Sequence, residues 1–215
     1  MSKRREKPDY GVGRTSLVAL VGVVVAAVVG IVVINILAGQ ESKTIGLGDY
    51  RVGEKVDPFA IPEVRSGLEG DANVDRGAAC SVDVEGAIRV CDFFDRPLVI
   101  SFWFTRGAEK CVEVQDDFDR VARKFGDRVA MLSINVLDDR DRVDEIVTER
   151  GWEVPVGHDR DGAVANLFRV GGCPTFLFVA PGGTIVRAEA GETNYRRLSA
   201  QVRSFLDGQA KEAQG

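Results

Sequence analysis

Residues 17–38, LVALVGVVVAAVVGIVVINILA, carry no charge and one strongly polar side chain, Asn35. A helix needs about 20 such residues to cross a hydrocarbon core of roughly 30 Å, so this run is expected to span a membrane. A cleavable signal peptide is the competing reading, but its apolar region is normally about 7–15 residues long and ends at a small-residue cleavage site. The run here is longer, and the flank AGQES matches such a site poorly.

LAGQ has the form of a lipoprotein signal with Gln40 where the lipidated cysteine would stand, which argues against a lipid anchor. Lys3, Arg4, Arg5, Lys7 and Arg14 all precede the span, and the stretch just after it is sparse in basic residues. The positive-inside rule therefore puts residues 1–16 in the cytoplasm and the rest of the chain outside it, on a single-pass anchor. Residues 39–215 hold 23 Lys and Arg (28 less the 5 before the span) against 31 Asp and Glu (33 less 2), a net charge of −8. A surface of that sign gives nucleic acid no electrostatic footing, and no nucleic-acid partner is expected.

Of the 215 residues, 39–56 are polar and glycine-bearing without a sustained period and read as a tether. Residues 63–79, including RSGLEGDANVDRG, read as an exposed loop. Val82, Val84, Ile88 and Val90 alternate around Glu85-Gly86 and suggest a β-hairpin. PLVISFWF (97–104) is a continuous apolar run of strand length, the pattern of a strand buried on both faces. Cys111, Val114, Phe118, Val121, Ala122 and Phe125 recur at three- and four-residue steps and stop at Gly126, which reads as an amphipathic helix.

VAMLSINV (129–136) reads as the next strand and RDRVDEIVTERG (140–151) as the next helix, followed by a short strand around Val154–Val156 and a helical turn at 161–168. TFLFVA (175–180), the turn Pro181-Gly182-Gly183 and TIVRAEA (184–190) suggest an antiparallel pair. Thr193 can cap a last helix whose Tyr195, Leu198, Val202 and Phe205 share a face, and residues 208–215 read as a disordered tail. Strand–helix–strand followed by helix–hairpin–helix is an α/β sandwich with a central mixed sheet, placed at 57–207.

These residues resemble the thioredoxin-like superfamily, most closely its membrane-anchored disulfide reductases of the TlpA/ResA type (redoxin domains). The resemblance runs from about residue 52 to 207. VGEKVDPFAIPEV (52–64) is similar to the family's opening segment, LVISFWF to its central strand, and VGGCPTFLFVAPGGTIV (170–186) to its cis-proline loop and following hairpin. The family's helix places apolar residues seven, ten and fourteen positions after its second cysteine, then a glycine, and Phe118, Val121, Phe125 and Gly126 stand so from Cys111. The resemblance therefore assigns Cys111 to the second cysteine of a C-x-x-C motif and puts Ala108 in the slot of the first, giving A-x-x-C. It further implies that Pro174 is the cis-proline and that Cys173, just before it, lies against the active-site sulfur. Cys111, Cys173 and Pro174 are then the expected catalytic residues, with a disulfide drawn from two loops replacing the local pair.

Four cysteines allow three pairings. A hairpin turning at Glu85-Gly86 places Cys80 opposite Cys91, within disulfide reach and in a structural role. Cys111 could also be a small buried hydrophobe, since it lies in the apolar stripe; against this, a helix start flanked by Arg106 and Lys110 lowers a thiol pKa. His158, the single histidine, reads as a solvated loop residue rather than a general base, and Asp138-Asp139-Arg140-Asp141 as a helix start. Asp159-Arg160-Asp161-Gly162 lacks the spacing and closing glutamate of a calcium loop. Neither metal nor cofactor is expected, and Trp103 is assigned to packing.

The expected activity is an extracytoplasmic thiol–disulfide oxidoreductase acting on protein or small-molecule thiols and disulfides, with a redox partner outside the cytoplasm. A peroxiredoxin-like thiol peroxidase would need Pro at 104 and Thr at 108, where Phe104 and Ala108 stand. A redox-inactive thioredoxin-like binding module is the third reading, supported by the loss of the first cysteine.

Overall fold

The structure is a computed structural model that describes residues 52–69, 78–107 and 109–212. The expected membrane span, the cytoplasmic segment and most of the tether lie outside these residues. Among the described residues no helix is long and apolar enough to cross a membrane.

The chain runs β1 (Ala60–Pro62), β2 (Ala87–Arg89), β3 (Leu98–Trp103), α1 (Glu109–Phe125), β4 (Ala130–Val136), α2 (Arg140–Arg150), β5 (Val156–Asp159), α3 (Ala163–Leu167), β6 (Thr175–Ala180), β7 (Thr184–Ala190) and α4 (Tyr195–Glu212). Five strands form a mixed sheet in the order β5-β4-β3-β6-β7, with β3, β4 and β5 parallel and β6 and β7 antiparallel to their neighbours. The central strand β3 is buried along its whole length, as its unbroken apolar run predicts.

Alternation along β3 sorts its side chains into two layers. Val99 and Trp103 pack with Phe118, Val121 and Phe125 of α1, with Val143 and Val147 of α2, and with Leu198 and Val202 of α4. Leu98, Ile100 and Phe102 face the opposite layer, built by Phe59 and Ile61 of the N-terminal segment and by Val164 and Phe168 around α3. The two parallel crossovers from β3 to β4 and from β4 to β5 leave α1 and α2 on one face. Trp103 is fully buried, edge-on to Trp152 at 5.3 Å, which is the packing role expected of it.

Several local readings are revised. The hairpin around Glu85-Gly86 does not form: β2 pairs instead with β1, Ile61 opposite Ile88. Val84 is exposed, so a strand there would bury nothing, whereas β1 and the residue before it offer the apolar Ile61 and Phe59. Cys80 and Cys91 lie in two short 3-10 helices, Ala79–Ser81 and Val90–Phe93, and are nonetheless disulfide-bonded with their Cα atoms 5.6 Å apart. The tether ends earlier than read, because Gly53, Glu54 and Val56 hydrogen-bond the backbone of Gly183 and Ile185 at the β7 edge.

The loop at 63–79 is not simply exposed. The Arg140 guanidinium donates to the carbonyls of Glu63, Ser66 and Leu68, and Val64 is buried beneath it. The strand read at Val154–Val156 begins later, since the N–H groups of Glu153 and Val154 are taken by Asp119 rather than by a strand. It then runs to Asp159 and carries His158 into the interior, where the residue is 5 % exposed rather than solvated. Gly157 of the same strand is required by close approach: a Cβ there would sit 2.9 Å from the Ile61 side chain.

Asn194, not Thr193, caps α4, its Oδ1 accepting from the Arg197 N–H. That helix continues to Glu212, through the first residues read as a disordered tail. At α2 the expected helix start holds, with Asp139 accepting from the Arg142 N–H as N-cap.

Two stability predictions follow from these contacts. Replacing Cys80 and Cys91 together by Ser is expected to lower unfolding free energy by about 3 kcal/mol, since the bond closes a short loop, measured by urea titration. Burial raises the Asp159 carboxyl above its ordinary range, opposed by N–H groups of Ala165 and Val164 that donate to it. The stability carried by its neutral form is complete below pH ~4 and is lost as pH rises through the raised value. Relative to the wild type, the stability of Asp159→Asn should therefore rise as pH increases from about 4, and Asp159→Ala, which also lacks the titrating group, should follow the same trend from a level about 1–3 kcal/mol lower because it orphans two N–H groups.

Candidate active site

Strand β3 ends at Trp103 and β6 begins at Thr175, and the two are antiparallel with Phe102 opposite Thr175. The loop leaving β3 and the loop entering β6 therefore meet at one end of the sheet. The first leads to Cys111, the third residue of α1; the second carries Cys173 and Pro174. Cys111 and Cys173 are disulfide-bonded, their Cα atoms 6.0 Å apart across 62 residues of sequence. The Cys173–Pro174 peptide is cis, and the Pro174 carbonyl accepts from the Gly191 N–H at 3.0 Å.

The two sulfur-bearing residues differ in access. Cys111 is 3 % exposed beneath the first turns of α1, Cys173 is half-buried, and Pro174 is buried. Both cysteines line a groove of about 830 Å³, with Lys110, Glu113 and Asp117 of α1 on one wall and Glu192 on the other. Lys110 Nζ donates to Glu192 Oε1 at 3.0 Å, joining the two walls. That hydrogen bond and the Glu192 charge raise the fully exposed Lys110 ammonium above its ordinary pKa.

The loop before α1 is held from beneath by Asp138. Its carboxylate accepts from the Thr105 N–H and hydroxyl, both at 2.7 Å, and from Asn135 Nδ2 at 2.8 Å. The Asp138 carbonyl lies 3.0 Å from His158 Nε2; because a carbonyl can only accept, that nitrogen carries the proton. His158 thus supports the site through a backbone contact and has no place in the groove. Asp138, read from sequence as part of a helix start, also anchors the loop before α1.

A second buried polar chain lies one helical turn past Cys111. Gln115 donates to Ser101 Oγ at 2.7 Å and accepts from Ser133 Oγ at 2.9 Å, and Ser133 in turn accepts from Trp103 Nε1 at 2.8 Å. Ser101 and Ser133 are register partners on adjacent strands. That pair of serines at matching positions in two otherwise apolar runs was the available sequence signal for this network. Three acids of α1 fix the surrounding segments: Asp116 holds Arg150 and Trp152, Asp117 accepts from the Tyr195 N–H, and Asp119 accepts from Glu153 and Val154. Among the described residues no cluster of His, Cys, Asp and Glu could hold a metal ion.

Residues 75–188, more than half of the chain, match the AhpC/TSA family. The chain belongs to the AhpC/TSA family. It is 24% identical over 208 residues to the thiol-disulfide oxidoreductase ResA of Oceanobacillus iheyensis, covering 97% of this chain and 95% of that protein. Among solved structures it is similar to a thioredoxin-family thiol:disulfide interchange protein from Chlorobium tepidum TLS, with TM-score 0.57 and 14% identity over 74% of this chain and 99% of the other. The thioredoxin domain of a thiol-disulfide oxidoreductase from Bacteroides vulgatus matches at TM-score 0.56 and 15% identity, over 74% and 99%. The thioredoxin-like fold is thereby established, with its central mixed sheet.

Asp138→Ala removes the acceptor of three hydrogen bonds and leaves the Thr105 N–H without a partner. It is expected to cost about 2–4 kcal/mol in urea unfolding and to loosen the loop before α1, seen as faster amide exchange at residues 104–107.

Proposed function

We propose that this AhpC/TSA-family protein is a thiol–disulfide oxidoreductase that works outside the cytoplasm on the 17–38 anchor, using the non-local pair Cys111–Cys173 as its redox centre. The observation that carries the reading is the bond between the head of α1 and the residue before the cis-proline, at the floor of an open groove. The names of the relatives above point to the same class of chemistry.

The two sulfurs divide the work. An incoming thiolate attacks Cys173 Sγ, the better exposed of the pair; the S–S bond breaks and its electron pair leaves on Cys111 Sγ. Cys111 stands in the first turn of a 17-residue helix, where the aligned peptide dipoles and free N–H groups favour negative charge, so it is the better leaving group. A second thiolate then attacks the mixed disulfide on Cys173, releasing the oxidised substrate and Cys173 as thiolate. Run backwards, reduced Cys173 attacks a substrate disulfide and Cys111 resolves the adduct. Pro174 shapes the groove beside the attacked sulfur.

The peroxidase reading has less support. The Thr105 hydroxyl, the one such group in the loop before Cys111, is committed to Asp138, and Cys111 is held in a bond under α1.

Cys111→Ser should trap a persistent adduct on Cys173 when treated with bis(2-hydroxyethyl) disulfide, read by intact mass. Cys173→Ser, retaining only the covered thiol, should react at least about tenfold more slowly. Equal rates for the two variants would sink the assigned roles. Catalysed disulfide exchange unchanged in the Cys111→Ser, Cys173→Ser double variant would favour a binding module, and peroxide consumption abolished by Cys111→Ser a peroxidase.

A further inference from the structure

The groove beside Cys173 is charged unevenly. Its walls carry one cation, Lys110, and three carboxylates, Glu113, Asp117 and Glu192. Lys110 and Glu192 neutralise each other through their 3.0 Å bridge. Asp117 is balanced by Arg120 at 3.2 Å and by the Tyr195 N–H that it accepts at the start of α4. Glu113, one turn before Asp117 on the same exposed wall, makes no ion pair among the described residues; its charge acts on Lys110, three residues before it on the same helix and already paired with Glu192. Arg106, exposed on the loop before α1, stands outside the groove lining, so among the lining carboxylates Glu113 is the one without a bonded partner. The net charge of −8 on residues 39–215 adds a field of the same sign.

We propose that Glu113 is a specificity-determining residue that makes the groove select thiols and disulfides bearing positive charge near the sulfur, and reject anionic ones. The inference rests on the reading of Cys111–Cys173 as the redox pair and adds to it the class of substrate. An attacking thiolate is itself negative, so a cation elsewhere on the same molecule is what lets it approach this wall; a free carboxylate adds to the repulsion. The approach to Cys173 is where the field acts, so the preference belongs to the rate of attack and weakens with salt. Lys110 does not cancel the effect while Glu192 holds it, and the groove is open to water, so the discrimination is moderate.

The test uses the oxidised full chain and three small thiols: cysteamine (cationic), 2-mercaptoethanol (neutral) and glutathione (net anionic). Rates of disulfide reduction are compared per unit of thiolate. Cysteamine should react about fivefold faster than glutathione at low ionic strength, with 2-mercaptoethanol between them, and the ratio should fall toward one in 0.5 M salt, as expected for charges several ångströms apart in water. Glu113→Gln should shrink the ratio and Glu113→Lys should reverse it, while Glu149→Gln on α2, outside the groove, should leave it as in the wild type. Equal rates for all three thiols, or a preference unchanged in Glu113→Gln, would overturn the proposal and leave the redox reading standing. A disulfide inert to all three would remove the redox reading itself, and the substrate class with it.

Discussion

The pairing of β3 with β6 is the constraint on which the rest depends. Nothing in either loop alone could bring residues 111 and 173 together; the antiparallel register, Phe102 opposite Thr175, delivers both to the same end of the sheet. The register is itself fixed by burial. Every residue of β3 is buried, and a shift by one would exchange the α1-facing set Val99 and Trp103 for Leu98, Ile100 and Phe102, which fill the other layer. The chemistry of the site is thus secured by a hydrophobic pattern well away from any sulfur.

A pair assembled this way differs physically from a C-x-x-C motif. There the helix turn alone sets the distance between sulfurs, whatever the rest of the domain does. Here the bond closes a loop of 62 residues, and a cross-link over that span removes about 4 kcal/mol of chain entropy from the unfolded state. By linkage the folded sheet favours the bond by the same coupling, so reduction of this site and loosening of the β3–β6 end draw on one free energy. The Asp138–Thr105 contacts hold the loop before α1 through hydrogen bonds that do not depend on the disulfide.

Much of this was readable in the chain because it is written locally. A continuous apolar run becomes β3, a stripe at helical spacing becomes α1 and stops before Gly126, and a Pro-Gly-Gly turn joins β6 to β7. The Cys80–Cys91 bond formed although the hairpin proposed for it did not, since a disulfide asks only that two Cα atoms come within reach. Contacts between polar groups distant in sequence left no such mark. Arg140 grips carbonyls more than 70 residues away, Asp138 serves a loop 33 residues earlier, and His158 is buried because β5 extends past a start set by Asp119. Asp138 and Arg140 do stand at the helix start that the sequence suggested, and distant partners give them a further role it did not show, whereas His158, read as solvated, is buried.

Loss of the first cysteine changes where reactivity and access coincide. In a C-x-x-C site one sulfur at the helix start is both the exposed one and the one whose thiolate the helix stabilises. Here the helix favours charge on Cys111, which is covered, while solvent reaches Cys173, which has no helix behind it. On the proposed assignment, the attacked atom and the charge-bearing atom are therefore different residues on different elements. Substituting around one should then leave the other's contribution intact: groups near Cys173, such as Glu113 on the facing wall, would govern which partner arrives, and groups of α1 would govern how readily Cys111 departs. Selectivity and reactivity become separately adjustable, which a single sulfur performing both tasks does not permit.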